Sequence, residues 1–319
     1  MASQMKNQKK KLLPTLWIYF PAALILGVLS LGDMLLKPAF AGEVALHDDS
    51  VSISFDSRSG ALIRFEDKKK KWNIERRPEL GNSFRLFAPL PDRRWNPVLG
   101  PKQTATEIKK LSDHEIRLQW KNLVSENGGE LPLTLTAEVT LTNGMLTFDA
   151  TLENDSSLTV ETIDYPYFGD FSLPSRDCTN MAIWAAPHGN PDGLVPDELY
   201  PHFHNEKGYW GVFWPTKILE PDRSHFCLIQ TPGKGVHVDV NTASSDYRWQ
   251  YVFEQHPALM STITEMVPPT DSISGVPVHL EFRVCHLIFQ KPHSMMKLMP
   301  VTVRCYQGDQ HTGSELHKP

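Results

Sequence analysis

Aromatic side chains crowd into the segment between residues 184 and 214. Flat rings can stack on the apolar faces of sugars, while neighbouring polar groups bond to the hydroxyls, as in pockets with apolar walls. Alternatively these rings pack in a core, because the run GYWGVFWP (208–215) alternates like a strand. The segment predicts a carbohydrate-binding surface whose candidate residues are Trp184, His188, Tyr200, His202, His204, Trp210 and Trp214.

Histidines in this segment could also do acid–base chemistry. An imidazole titrates near neutral pH, so it can exchange a proton with a sugar's anomeric hydroxyl or ring oxygen. His188 and His204, with Glu265 further along the chain, are the candidate catalytic residues for such an epimerase-like or lyase-like reaction. The alternative is that all three side chains are ordinary surface residues.

No metal or cofactor is predicted. His202 and His204 could both lie on one face of a strand, but no third ligand follows at the spacing typical of zinc sites. The chain has no nucleophile elbow, phosphate-binding loop, zinc-protease helix or dinucleotide fingerprint. Sugar hydrolysis usually needs two carboxylates roughly 5–10 Å apart, and the acidic residues near the aromatic segment form no such pair in the sequence. We therefore expect no hydrolase site within the chain, and the residues leave open whether it is an enzyme.

The elements that must position these residues are strands, organised around the dipeptide Asn143-Gly144. Asn-Gly strongly favours a two-residue type I′ turn, because both central residues need positive φ. The apolar residues on either side alternate with threonines, so one face of the hairpin should be buried and the other wet. The predicted cross-strand pairs are Leu141 with Leu146, Val139 with Phe148, Ala137 with Ala150 and Leu135 with Leu152.

The same register places Glu138 opposite Asp149. Like charges directly opposite each other are unfavourable. We expect both carboxylates to be solvated and their repulsion to be relieved by a lysine from a neighbouring strand. The alternative is a cation site.

Short alternating segments separated by turns continue through most of the chain, about fifteen of them, which favours a sandwich or barrel. They include 51–55 with 61–65, 103–108 with 116–120, 225–230, 235–240, 247–254 and 276–289. In the last of these, Phe282, Val284, His286 and Ile288 should share one face. The predicted fold class is all-β, a large antiparallel β-sandwich.

The first 41 residues read as an export signal. Lysines precede an uncharged run over residues 12–32, and Ala39-Phe40-Ala41 offers a small-x-small cleavage site. The apolar run is long enough to act instead as an uncleaved membrane anchor. Export would place the protein in the periplasm, outside the cell or on its surface, where Cys178, Cys227, Cys285 and Cys305 could form disulfides by three pairings or remain free thiols.

The other boundaries follow from the strand pattern and the charge. Residues 42–305 form the predicted sandwich, and residues 306–319 begin a helix for which Thr312 or Ser314 is the expected cap, with Glu315 in the first turn. The formal net charge of −5 and the 22% of charged residues give no basic patch suited to nucleic acid. Contact with a membrane is expected only through the N-terminal segment.

Four segments, 51–67, 146–171, 276–292 and 300–319, together resemble the N-terminal β-supersandwich domain of secreted glycoside-hydrolase-like proteins, which has a galactose-mutarotase-like fold. In that family a pattern like YxGDWHxG leads into a catalytic (β/α)8 barrel. Gln310 stands where a tryptophan is usual. The residues that match the pattern are Tyr306, Gly308, Asp309, His311 and Gly313.

The resemblance implies a carbohydrate context and not a working hydrolase, because the barrel that would hold the catalytic acids does not follow in this sequence. It implies a carbohydrate-binding or accessory domain, with an oligo- or polysaccharide and a catalytic barrel as partners. A third interpretation is that the domain is a structural scaffold that packs on such a barrel. Fold analogy alone is a weak argument for activity.

Overall fold

The computed structural model describes residues 42–172, 182–185, 192–193, 216–219, 226–241, 247–257 and 278–317. The regular elements of this part of the chain are strands, apart from one short α-helix near residue 310 and two 3-10 turns, Pro78–Leu80 and Gly100–Lys102. The elements are β1 (Glu43–His47), β2 (Val51–Asp56), β3 (Leu62–Asp67), β4 (Trp72–Glu75), β5 (Arg85–Phe87), β6 (Pro97–Leu99), β7 (Glu107–Ser112), β8 (Glu115–Ser125), β9 (Gly129–Thr142), β10 (Met145–Asn154), β11 (Val160–Phe168), β12 (Ala182–Ala185), β13 (Asp192–Gly193), β14 (Thr216–Leu219), β15 (Phe226–Thr231), β16 (Lys234–Val240), β17 (Trp249–Pro257), β18 (Val278–Gln290), β19 (Ser294–Lys297), β20 (Val301–Gln307) and α1 (Gln310–Glu315).

The strands form three antiparallel sheets. The first is β1-β2-β3-β4. The second runs β13-β12-β15-β16-β20-β10-β9-β8-β7, with β19 also paired to β10, and the third runs β14-β17-β18-β11-β5-β6. Neighbouring strands in these sheets are often distant in sequence, so the fold depends on long-range pairing.

A large apolar core lies between the sheets. Phe148 of the ten-stranded sheet packs against Phe168 of the six-stranded sheet, with ring centroids 6.1 Å apart. Phe65 of the four-stranded sheet reaches the same ring at 5.9 Å, and Phe282 stacks on it at 5.7 Å. Aromatic pairs at these separations add packing energy beyond the area that they bury. The predicted all-β antiparallel sandwich is confirmed.

The central hairpin has the predicted register throughout. Leu141 pairs with Leu146 and Leu135 with Leu152, and Asn143 and Gly144 have φ values of 52° and 76°. Positive φ at both turn residues is what a type I′ turn requires.

The repulsion between the opposed carboxylates of this hairpin is relieved by cationic side chains from neighbouring strands. Glu138 does lie opposite Asp149. Arg117 of β8 approaches Glu138 at 2.7 Å, and Lys297 of β19 approaches Asp149 at 3.4 Å. The prediction of a compensating lysine is therefore confirmed for Asp149, while an arginine compensates Glu138.

Two local predictions were wrong. The strand expected from residue 103 begins at Glu107, because Gln103 turns inward and bonds to the main chain of Leu99 and Val124. The C-terminal helix is capped by neither Thr312 nor Ser314. Asp309 precedes them and accepts hydrogen bonds from the amides of His311 and Thr312 at 3.1 Å, so Glu315 falls in the last turn of α1.

The export segment of residues 1–41 lies outside the described residues and remains a prediction. Within the described part, no helix has the length and apolar character needed to cross a bilayer. Cys227, Cys285 and Cys305 are free thiols, in agreement with one of the two alternatives for these three residues; Cys178 is not described.

Candidate functional site

Of the site residues predicted from sequence, Trp184 is the one within the described residues. Trp184 lies in β12, where its main chain pairs with Leu228 of β15. The other candidates fall outside the described residues and remain predictions: His188, Tyr200, His202, His204, Trp210, Trp214 and Glu265.

The described residues show a different cluster, on the side of the six-stranded sheet that faces away from the core. Side chains along each strand alternate between the two faces of the sheet, so apolar residues such as Phe253 and Phe282 enter the core and their neighbours point to the opposite face. Those outward positions carry charges that are nevertheless buried. We call this set the arginine–carboxylate network: Arg85, Asp164, Tyr167, Glu254, Glu281 and Arg283.

Arg283 is the centre of the network. Its guanidinium reaches Glu254 at 2.5 Å, Asp164 at 3.2 Å and Glu281 at 3.4 Å. Glu254 and Glu281 are direct cross-strand partners, an unfavourable juxtaposition that the arginine between them offsets. Arg283 is only 5% exposed, so these charges interact with little screening by water.

Arg85 and Tyr167 complete the network on the other side of Asp164. The Arg85 Nε donates to Asp164 at 2.8 Å, and the Tyr167 hydroxyl donates to Glu281. The guanidinium carbons of Arg85 and Arg283 lie 5.9 Å and 5.3 Å from the centroid of the Tyr167 ring. Each acidic group of the network thus has a cationic or hydroxyl partner, which fixes the orientation of all six side chains.

The arginine at the centre of the network stays charged at neutral pH. Burial alone lowers the pKa of Arg283, but Tyr167 and the carboxylates around it raise that pKa well above its usual value. Burial, and then the Glu281 carboxylate, raise the pKa of the Tyr167 hydroxyl. Burial and Asp164 likewise raise the pKa of the nearby Cys285 thiol, so this cysteine is not an activated nucleophile.

A second set of charged residues, Glu75, Arg77 and Asp170, lies close to Glu281 of the network. Asp170 forms a two-point ion pair with Arg77 at 2.8 and 2.6 Å. Glu75 is completely buried, and burial, followed by the Asp170 and Glu281 carboxylates, raises its pKa well above the usual value. A carboxyl group in this setting holds its proton at pH values where exposed glutamates have lost it.

Aromatic rings continue the network toward the surface. Arg85 lies 5.4 Å from the Phe87 ring centroid, and Phe87 packs against Trp95 at 4.9 Å. Both rings are half-buried. Beside them, Arg94 forms a two-point pair with Glu161 at 2.8 and 2.7 Å, and the Arg94 side chain is 79% exposed. We call this surface the Phe87–Trp95 edge.

Neither the network nor the edge was predicted from the sequence. Glu281 and Arg283 occupy polar positions of an alternating strand, which normally face solvent, and nothing local distinguishes them. The two charged residues within the largely apolar strand 278–290 were the available signal, but their partners come from strands about 30 to 120 residues away.

The terminal pattern from Tyr306 to Gly313 has a structural explanation. The hydroxyl of Tyr306 donates to Gln230, and Gly313 packs directly on the Tyr306 ring. Gly308 has a positive φ of 122°, and Asp309 caps α1. These residues dock α1 on β15, β16 and β20, and only His311 among the matching residues has an exposed side chain without such a role.

The docked helix brings His317 to Asp239 of β16, with Nδ1 and Oδ2 2.9 Å apart. His237 lies two residues before Asp239 on the same strand, and one ligand atom from each of these three residues lies within 4.8 Å of the others. Burial lowers the pKa of His237 to about 4. In the described part of the chain this is the group of side chains best placed to hold a metal ion.

Structure comparison identifies the fold. The chain is similar to a galactose mutarotase-like protein from Lactobacillus casei, at 12% identity, covering 83% of this chain and 100% of that one with a TM-score of 0.52. It is also similar to an aldose epimerase homologue from C. elegans (8% identity, 84% and 99% coverage, TM-score 0.48) and to an alpha-galactosidase from Lactobacillus brevis (8%, 85% and 40%, TM-score 0.45). No protein-family model and no curated protein matches the sequence. The first likeness confirms the predicted galactose-mutarotase-like fold.

Proposed function

We propose that this protein is an exported carbohydrate-binding domain that acts as an accessory module of a glycoside-hydrolase-like protein. The observation that carries the proposal is the Phe87–Trp95 edge. Two half-buried rings with centroids 4.9 Å apart adjoin an exposed arginine–carboxylate pair. Such a surface offers apolar contact to a sugar ring and directional hydrogen bonds to its hydroxyls.

The arginine–carboxylate network holds the Phe87–Trp95 edge in position through Arg85. Arg85 contacts both the Phe87 ring and Asp164, so the aromatic platform rests on side chains whose positions are fixed. A rigid platform loses little conformational entropy on binding, which favours recognition by a small number of contacts.

The galactose-mutarotase-like fold is compatible with this role but does not by itself establish it. The partner that we propose is an oligo- or polysaccharide, and a catalytic barrel is the proposed second partner.

A glycan array and affinity gels with the full chain test the proposal. Trp95→Ala should abolish retention on any glycan that the wild-type protein binds, whereas Phe289→Ala should not. Phe289 is a matched control, since it is an aromatic residue 61% exposed on β18. Circular dichroism should show that both variants are folded.

A second pair of variants separates the edge from the aromatic segment predicted from sequence. If Trp210→Ala and Trp214→Ala abolish binding while Trp95→Ala leaves it intact, the sugar site lies in that segment and the edge is not the site. If the wild-type protein binds no glycan, the carbohydrate-binding proposal is wrong, and the scaffold alternative becomes the one to pursue.

A further inference from the structure

The outer face of β16 carries a histidine and a carboxylate at alternate positions. His237 and Asp239 point to the same side of the strand, while Val238 enters the core. His317, which follows α1, approaches them because α1 docks on the same face through Leu316, packed against Phe226, Leu228 and Tyr306.

We propose that His237, Asp239 and His317 form a binding site for a divalent first-row transition metal, of the zinc type. Two imidazoles and one carboxylate are a donor set that such ions prefer. Calcium and magnesium, which take oxygen ligands, do not suit it.

The geometry is close to what a bound ion requires. Ligands about 2.0–2.1 Å from a tetrahedral zinc ion are roughly 3.3 Å apart. The Asp239 and His317 atoms are 2.9 Å apart, and all three ligand atoms lie within 4.8 Å of one another. Side-chain rotations that move each ligand atom by an ångström or less would therefore bring the three atoms to coordinating distances.

The buried histidine provides an independent indication. His237 is 4% exposed, and its Nε2 has no hydrogen-bond partner among the described residues. Leaving a buried polar atom unpaired costs free energy, and a metal ion bound at this nitrogen would remove that cost.

The surroundings hold the two imidazoles in place. The Phe226 ring stacks on His237 at 5.1 Å and lies 4.8 Å from the His317 ring. Arg304 faces His237 across the β16–β20 pair, but its Nη2 is directed to Met145 at 3.1 Å. The side chain of His317 is 39% exposed, so an ion can reach the site from solvent.

Three protein ligands would leave a fourth coordination position for water or a further donor. Because His317 lies just after the C-terminal end of α1 and the other ligands belong to β16, the ion would also fix the end of the helix to the sandwich. Binding to the folded state alone raises the stability of that state.

The test uses the full-length chain without an affinity tag, freed of metal with EDTA and then titrated with zinc chloride by isothermal calorimetry. His317→Ala and Asp239→Asn should each lose one molar equivalent of bound zinc. His311→Ala is the matched control, because it removes an exposed histidine of α1, six residues before His317, and it should bind as the wild-type protein does.

Thermal unfolding gives a second readout. Zinc should raise the melting temperature of the wild-type and His311→Ala proteins, and this increase should disappear in His317→Ala and Asp239→Asn. The proposal is wrong if the wild-type protein binds no zinc, or if all four proteins bind the same number of ions and show the same increase. Two ligand variants are included so that a failure of one to fold leaves the other to decide.

Discussion

His286 donates a hydrogen bond from Nε2 to the main-chain oxygen of Tyr165 at 2.7 Å, across the β11–β18 pair. A carbonyl oxygen can only accept, so Nε2 carries the hydrogen and Nδ1 accepts from the Tyr247 hydroxyl at 2.8 Å. The imidazole is completely buried. A neutral ring satisfies both contacts with the Tyr247 hydroxyl as donor, whereas in a protonated ring both nitrogens donate and the hydroxyl would have to accept instead.

This arrangement predicts that the protein loses stability in mild acid. Burial lowers the pKa of His286 from 6.5 to about 4. Below pH 6.5 the unfolded chain takes up a proton that the folded protein refuses until about pH 4, so the free energy of unfolding decreases as the pH falls through this window. The group accounts for a loss of about 3 kcal/mol at most.

Urea unfolding at pH 7 and pH 4.5, in EDTA, checks this prediction. His286→Gln should be less stable than the wild-type protein at pH 7, but its stability should change less between the two pH values. If the wild-type protein and His286→Gln lose the same free energy of unfolding between pH 7 and pH 4.5, the acid sensitivity arises elsewhere. His237 would then be the first residue to examine.

Glu75→Gln should stabilise the protein, and more so at high pH. The pKa of Glu75 is raised by burial and by Asp170, so the folded state keeps a proton that the unfolded chain releases near pH 4.5. Wild-type stability therefore decreases as the pH rises above 4.5, and a permanently neutral glutamine removes this cost. We expect a melting temperature higher by roughly 2–4 °C at pH 8, which corresponds to about 1 kcal/mol, with the difference shrinking at pH 5. Equal melting temperatures at pH 8 would argue against a protonated Glu75.

Arg283→Met should be strongly destabilising. It leaves Asp164, Glu254 and Glu281 buried without their shared cation, which typically costs about 3–5 kcal/mol. Arg117→Met is the matched control, because the Arg117–Glu138 pair is 42% and 37% exposed and such surface pairs contribute about 1 kcal/mol or less. Urea unfolding monitored by tryptophan fluorescence compares the two variants. Similar losses would mean that the network is not the electrostatic centre of the six-stranded sheet.

Gly313→Ala should loosen the docking of α1. A methyl group at this position would lie 2.5 Å from the Tyr306 ring and 2.9 Å from Leu228, and overpacking of this kind costs about 1–3 kcal/mol. Hydrogen exchange should become faster in residues 310–316, whereas His311→Ala should leave it unchanged. Unaltered exchange in Gly313→Ala would show that α1 tolerates a shift away from β15 and β20.

The amino-acid sequence by itself determined the local elements of this protein. The register of Leu135–Leu152 and Leu141–Leu146 follows from an Asn-Gly turn and a period of two, both of which act within a few residues. The apolar face of β18, with Phe282, Val284 and His286, follows from the same alternation.

Only the tertiary structure decided which polar residues come together. Arg85, Asp164, Glu254 and Arg283 are remote in sequence, and each looks like an ordinary solvent-facing position of its own strand. His317 reaches Asp239 because a helix docks on a distant sheet. Side-chain periodicity reports which face of a strand is apolar, but the order of strands in a sheet depends on long-range pairing, and that order determines which charges meet.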